Sequence, residues 1–167
     1  MRGWLGLVAL LCPLCAGAET SPPEARATLG IAQGYLDEQF PDHWLAGGSV
    51  RFYLTGRFAV EPEFSYIKFT HARQFVDFRR YAFVPNLAFD LRDRDERVIP
   101  YVIGGVGVEH LRERAGLGEN SRTHATVNGG VGVKFFLTTR LFFAAEARAG
   151  WRPLLRVTGS LGYCLRD

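Results

Sequence analysis

Between Arg122 and Arg152 the chain changes character at every second residue. Val127, Gly129, Val131, Val133, Phe135 and Leu137 share one parity, and Thr126, Asn128, Gly130, Gly132 and Lys134 share the other. After Thr138-Thr139-Arg140, Leu141, Phe143, Ala145, Ala147, Ala149 and Trp151 alternate with Ala144, Glu146, Arg148 and Gly150. Period two held for about ten residues on either side of a short turn specifies two antiparallel strands with unlike faces. One face is apolar. The other carries glycine and full charges, so the two must meet very different surroundings.

The same period runs through the rest of the chain. Strands are expected at 26–36, 44–54, 58–69, 75–91, 98–111 and 155–165. In the second, Ser49, Arg51 and Tyr53 oppose Val50, Phe52 and Leu54; in the third, Glu61, Glu63 and Ser65 oppose Val60, Phe64 and Tyr66. Pro62 cannot donate to a ladder, so a bulge or a lost bond is expected there. In the fourth, Arg80, Asn86 and Asp90 oppose Tyr81, Phe83, Leu87 and Phe89. In the fifth, Tyr101, Ile103 and Glu109 face inward and Val102, Val106 and Val108 outward. With 126–137 and 141–151 the count is eight. Each is long enough for the 9–11 tilted residues of a bilayer crossing. The even number puts both termini on one side, with the turns at 55–57, 92–97 and 138–140. The connections at 37–43, 71–74, 112–122 and 152–154 then lie on the outer side, 112–122 being the longest loop.

The first 18 residues read as an export signal: Arg2, an apolar run from Leu5 to Leu14, and Ala16-Gly17-Ala18 ahead of Glu19. Residues 19–25 read as a flexible, proline-bearing lead-in, and 26–167 as the barrel domain. Removing the signal removes Cys12 and Cys15, so Cys164 has no partner for an intrachain disulfide. A net charge of +3 gives no nucleic-acid footprint.

Alternation alone does not say which face is inside. A soluble lipocalin-like binding barrel shows the same period with its apolar residues inward. Three features favour the inverted arrangement. Glycine crowds the polar face, as a narrow lumen filled by long side chains requires. That face also holds Arg51, Arg80, Lys134 and Arg148 against Glu61, Glu63, Glu109 and Glu146. Aromatic residues gather near strand ends on the apolar face, as interface girdles do. The fold expected is an all-β, eight-stranded, antiparallel up-and-down transmembrane β-barrel. On this reading Val131→Arg should harm folding into lipid far more than Gly132→Ser.

The stretches Ile99 to Val108 (IPYVIGGVGV), Asn128 to Leu137 (NGGVGVKFFL) and Glu146-Ala147-Arg148 resemble the small outer-membrane β-barrel domain family, the OmpA/OmpX-like barrels. The resemblance covers the mature chain in layout. It implies an eight-stranded barrel in a Gram-negative-type outer membrane, among proteins with structural, adhesive or stress-related roles. It also implies lipid and the barrel assembly machinery as partners. Such barrels usually end on an aromatic residue, whereas this chain ends Tyr163-Cys164-Leu165-Arg166-Asp167, which leaves Tyr163 and Leu165 to be read.

Glu61, Glu63, Glu109 and Glu146 could be read as a paired-carboxylate active site. Charges in a narrow interior must be paired, so a salt-bridge network is expected instead. A membrane-embedded lipid A-modifying enzyme needs a His/Ser pair; His124-Ala125-Thr126-Val127-Asn128 lacks the serine. The four histidines are dispersed, so no metal or other cofactor is expected. The chain is read as a monomeric, non-enzymatic barrel. Its candidate contact surface for an extracellular partner is the loop bearing Arg112, Arg114, Glu119, Asn120 and Arg122.

Overall fold

A strand with one apolar and one charged face can bury only one of them in protein, and closing a sheet decides which. In the computed structural model, which describes the backbone of residues 21–34, 43–71, 76–115, 118–150 and 154–165, the chain forms eight strands. They are β1 (Glu24–Gly34), β2 (His43–Tyr53), β3 (Phe58–His71), β4 (Val76–Asp90), β5 (Val98–Ala115), β6 (Gly118–Phe136), β7 (Leu141–Gly150) and β8 (Leu154–Cys164). Each pairs antiparallel with its neighbours in sequence. β1 pairs with β8 from Glu24 opposite Cys164 to Gly34 opposite Leu154, closing the barrel. No described helix is long and apolar enough to cross a membrane, which says nothing about crossing by strands.

Closure puts the charges inside. Arg51, Lys134, Glu24 and Asp90 are fully buried, while Leu29, Val106 and Val131 stay more than half exposed on the outer wall. The lipocalin-like alternative is thereby excluded, because its apolar face would have to be the buried one. β5 has the expected parity, with Tyr101 and Ile103 inside and Val102, Val106 and Val108 outside.

Pro62 causes a lost bond, not a bulge. The β2–β3 ladder is interrupted between Ser49–Glu63 and Phe52–Val60 and resumes in the same register. Pro62 sits opposite Pro85, and β4–β5 is interrupted likewise between Phe83–Val108 and Asn86–Gly105. Two residues without an N–H are thus placed face to face, where neither deprives the other of a donor.

Strand ends depart from expectation most tellingly at the start of β1 and at the β5–β6 connection. β1 starts at Glu24, inside the proposed lead-in, because Glu24 continues the inward parity of Arg26 and Thr28. The supposed loop 112–122 is mostly strand: β5 runs on to Ala115 and β6 begins at Gly118. Polarity had suggested a loop, but outside hydrocarbon a polar strand is not penalised. The register places Arg114 opposite Glu119 and Arg112 opposite Ser121, pairings compatible with a ladder. The connections expected at 37–43, 71–74 and 152–154 fall largely outside the described residues, apart from His43, His71 and Leu154 in strands.

Candidate functional site

The inward parity of all eight strands converges on one lumen, and side-chain length fills it. At the end where the turns 54–57, 91–97 and 137–140 lie, Glu24 of β1 is a hub. It accepts from Arg26 Nη2 at 3.0 Å and from Lys134 Nζ at 3.4 Å, and it is paired with Arg94. Asp90 of β4 accepts from Lys134 Nζ at 2.6 Å and from Arg51 Nη1 at 3.1 Å. The Tyr53 hydroxyl lies between these two acids, 2.9 Å from Glu24 and 2.8 Å from Asp90. It has one proton for either and accepts from Lys134 at 2.7 Å.

From there the pairing climbs without a break. Arg51 Nε donates to Glu61 at 2.5 Å, and the Ser49 hydroxyl donates to the same carboxylate at 2.6 Å. Arg26 reaches Glu61 at 3.7 Å and donates to the Tyr101 hydroxyl at 3.3 Å; Tyr101 donates to Glu146 at 2.9 Å. Glu146 is paired with Arg148, and Arg148 lies 2.8 Å from Glu63, which meets Arg156 at 2.8 Å on its other oxygen. Asn86 and Asn128 each accept from Arg148 at 3.3 Å. Rings separate the layers: the Arg51 guanidinium stacks 4.5 Å from the Tyr101 centroid and that of Arg94 stacks 3.9 Å from Tyr53.

Five carboxylates (Glu24, Glu61, Glu63, Asp90, Glu146) therefore meet six cations (Arg26, Arg51, Arg94, Lys134, Arg148, Arg156) in one ladder of two ion-pair clusters, Arg94 to Glu61 and Glu146 to Arg156, joined through the Tyr101 hydroxyl. Six of the eight residues expected in a lumen network belong to it. The other two, Arg80 and Glu109, form a separate, partly exposed pair at 3.2 Å near the far mouth. Sequence reasoning left out Glu24, Arg26, Asp90, Arg94 and Arg156. Parity alone could have found four of them; Arg94 comes from a turn and folds back into the mouth, which no alternation signals.

Among the described residues each carboxylate of the ladder is held by at least one cation. Two cavities beside the ladder hold about 40 Å³ near Arg80, Asn128 and Arg148 and about 10 Å³ near Thr28 and Glu63. That is room for a few waters. Among the described residues no serine is hydrogen-bonded to a histidine: Ser49 serves Glu61, Ser160 lies 2.8 Å from Thr28, and His110 bonds Thr123 at 2.9 Å. Nor do three or more metal-ligating side chains gather among those residues. At the far end Arg112, Asn120 and Arg122 are exposed on the β5–β6 hairpin, where the register also places Arg114 and Glu119.

A closed antiparallel barrel with charges within and bare aliphatic and aromatic side chains without is a membrane-spanning barrel. The chain belongs to the outer membrane protein beta-barrel domain family, whose model matches residues 5–153. Similar solved structures share the fold at low identity. Neisserial surface protein A superposes with a TM-score of 0.69 at 14% identity, covering 86% of this chain and 96% of that one. The N-terminal β-barrel domain of Pseudomonas aeruginosa OprF gives 0.63 at 16%, covering 87% and 98%. Ail, the attachment invasion locus protein of Yersinia pestis, gives 0.55 at 16%, covering 87% and 97%. No curated protein matches the chain in sequence.

Proposed function

We propose that this chain is a closed, non-enzymatic surface barrel of the outer membrane that holds the β5–β6 hairpin outside the cell as a contact element. The observation that carries the reading is the ladder of ion pairs from Arg94 to Arg156, bridged at its middle by Tyr101, which fills the lumen and makes the barrel a rigid mount, not a channel or a catalytic cleft. Family membership supports outer-membrane localisation. The surface role takes support from the name of one similar structure, an attachment protein, and from the height of the hairpin. A strand of 19 residues such as β6 spans about 60 Å, or roughly 45 Å when tilted, against an apolar band of about 25 Å. In this reading residues 1–18 direct export, the assembly machinery reads the outward-facing Tyr163 and Leu165, and the barrel works as a monomer.

Two measurements test it. In planar bilayers the purified barrel should give no porin-sized conductance steps; sustained large steps would contradict the filled lumen. In intact cells a membrane-impermeant maleimide should label Ser121→Cys and spare Thr138→Cys until lysis. Cys164, the free cysteine among the described residues, is buried and should stay silent. The reverse labelling would turn the barrel over and remove the hairpin from the cell surface.

A further inference from the structure

Three consecutive rows of outward side chains on β3, β4 and β5 change character in steps of two residues. The first is Phe64, Phe83 and Val108, adjacent in register and each half exposed. The second is Tyr66, Tyr81 and His110. Tyr66 and Tyr81 have ring centroids 5.1 Å apart, and Trp44 packs on Tyr66 at 5.6 Å. The third is Lys68 opposite Arg79, which is opposite Arg112. Each step is about 6.6 Å along a strand. The sequence of rows is hydrocarbon, aromatic interface and cation, the profile of a membrane boundary at headgroup depth.

Like charges directly opposite each other across a ladder are destabilising. Here two such pairs stand side by side, and among the described residues no carboxylate meets any of the three. Arg112 Nε has His110 Nε2 as its neighbour, at 3.4 Å. One row further out the register reads Thr70, Asp77, Arg114 and Glu119, residues of both signs. Among the described residues the all-cationic row is confined to this arc of the wall. The outward parity of β1, β2, β7 and β8 carries no lysine or arginine among the described residues.

We infer that the outer wall of β3–β5 is a binding site for a lipid whose headgroup bears more than one phosphate. Lys68, Arg79 and Arg112 hold the phosphates, and the Phe64–Phe83–Val108 surface receives the acyl chains. Two arginine forks and an ammonium suit phosphate oxygens at the edge of the hydrocarbon, where desolvation strengthens each contact. The apolar rows beneath select a lipid over free phosphate. The inference rests on the membrane-barrel reading and assigns that barrel a specific lipid.

The test uses the mature barrel refolded into phosphatidylcholine vesicles containing bisphosphorylated lipid A. Insertion is read from the gel mobility of unboiled against boiled samples, and bound lipid is counted by native mass spectrometry after detergent extraction. Wild type should retain the bisphosphorylated lipid and release a dephosphorylated form, and inorganic phosphate should not displace it. Lys68→Gln/Arg79→Gln/Arg112→Gln should bind it roughly tenfold or more weakly. Lys68→Arg/Arg79→Lys/Arg112→Lys should retain it, and so should Arg57→Gln at the opposite end. Equal retention by the glutamine variant, or displacement by inorganic phosphate, overturns the inference and leaves the barrel reading standing. Failure of wild type to insert overturns both.

Discussion

Glu24 lies 110 residues from Lys134 in sequence, yet the two charges meet in the same buried layer beside Arg26 and Arg94. Removing one partner from such a set leaves a buried charge uncompensated, which costs far more than the net worth of the pair. Glu24→Gln should therefore lower the urea midpoint by an amount equivalent to about 3–5 kcal/mol while the barrel still inserts. An unchanged midpoint would mean that water reaches this layer. Glycine carries the second prediction at this scale. A Cβ at Gly132 would collide with the Tyr101 ring, whereas at Gly129, on the outer face, the nearest atom is Ile103 O at 3.9 Å. Gly132→Ala should cost about 1–3 kcal/mol through overpacking, and Gly129→Ala almost nothing. Gly132→Ser, expected to be the milder change beside Val131→Arg, should for the same reason carry a cost of its own. Glycine on the polar face was legible in the sequence, but the ring that leans over it belongs to another strand.

Strand identity and facing were legible because they are local. Val102, Val106 and Val131 alternate with inward residues in the chain and on the barrel wall alike. Ends were less legible, since a polar strand above the bilayer looks like a loop. Arg112, Asn120 and Arg122 were expected in one and stand in a ladder instead. β6 first meets β7 at Asn128 opposite Gly150, so among the described residues 118–127 pair with β5 alone. For the wall itself, Val131→Arg places a charge at mid-strand on the outer face and should cost about 2–4 kcal/mol of folding stability in vesicles. A matched Ser121→Arg on the hairpin should cost little. Equal penalties would place the hairpin in hydrocarbon.

Across the whole molecule, polarity is inverted relative to a soluble barrel: what a soluble barrel would bury, this one exposes, and the converse. The expected lumen charges named the right interior without its wiring. Which acid meets which base depends on closure and stagger, and these are set by β1 meeting β8, a contact with no local signature. Arg94 is the clearest case, a turn residue that becomes the lid of the ladder. A membrane barrel requires the outer wall to face lipid. A nitroxide scan through residues 157 to 161 of β8 tests it most directly, because Val157 and Leu161 are half exposed while Thr158 and Ser160 are buried. In vesicles, the account predicts a two-residue oscillation, with oxygen accessibility high and water-soluble nickel accessibility low at 157, 159 and 161. Nickel accessibility peaking at 157, 159 and 161 would show that this wall faces water and would contradict the membrane barrel.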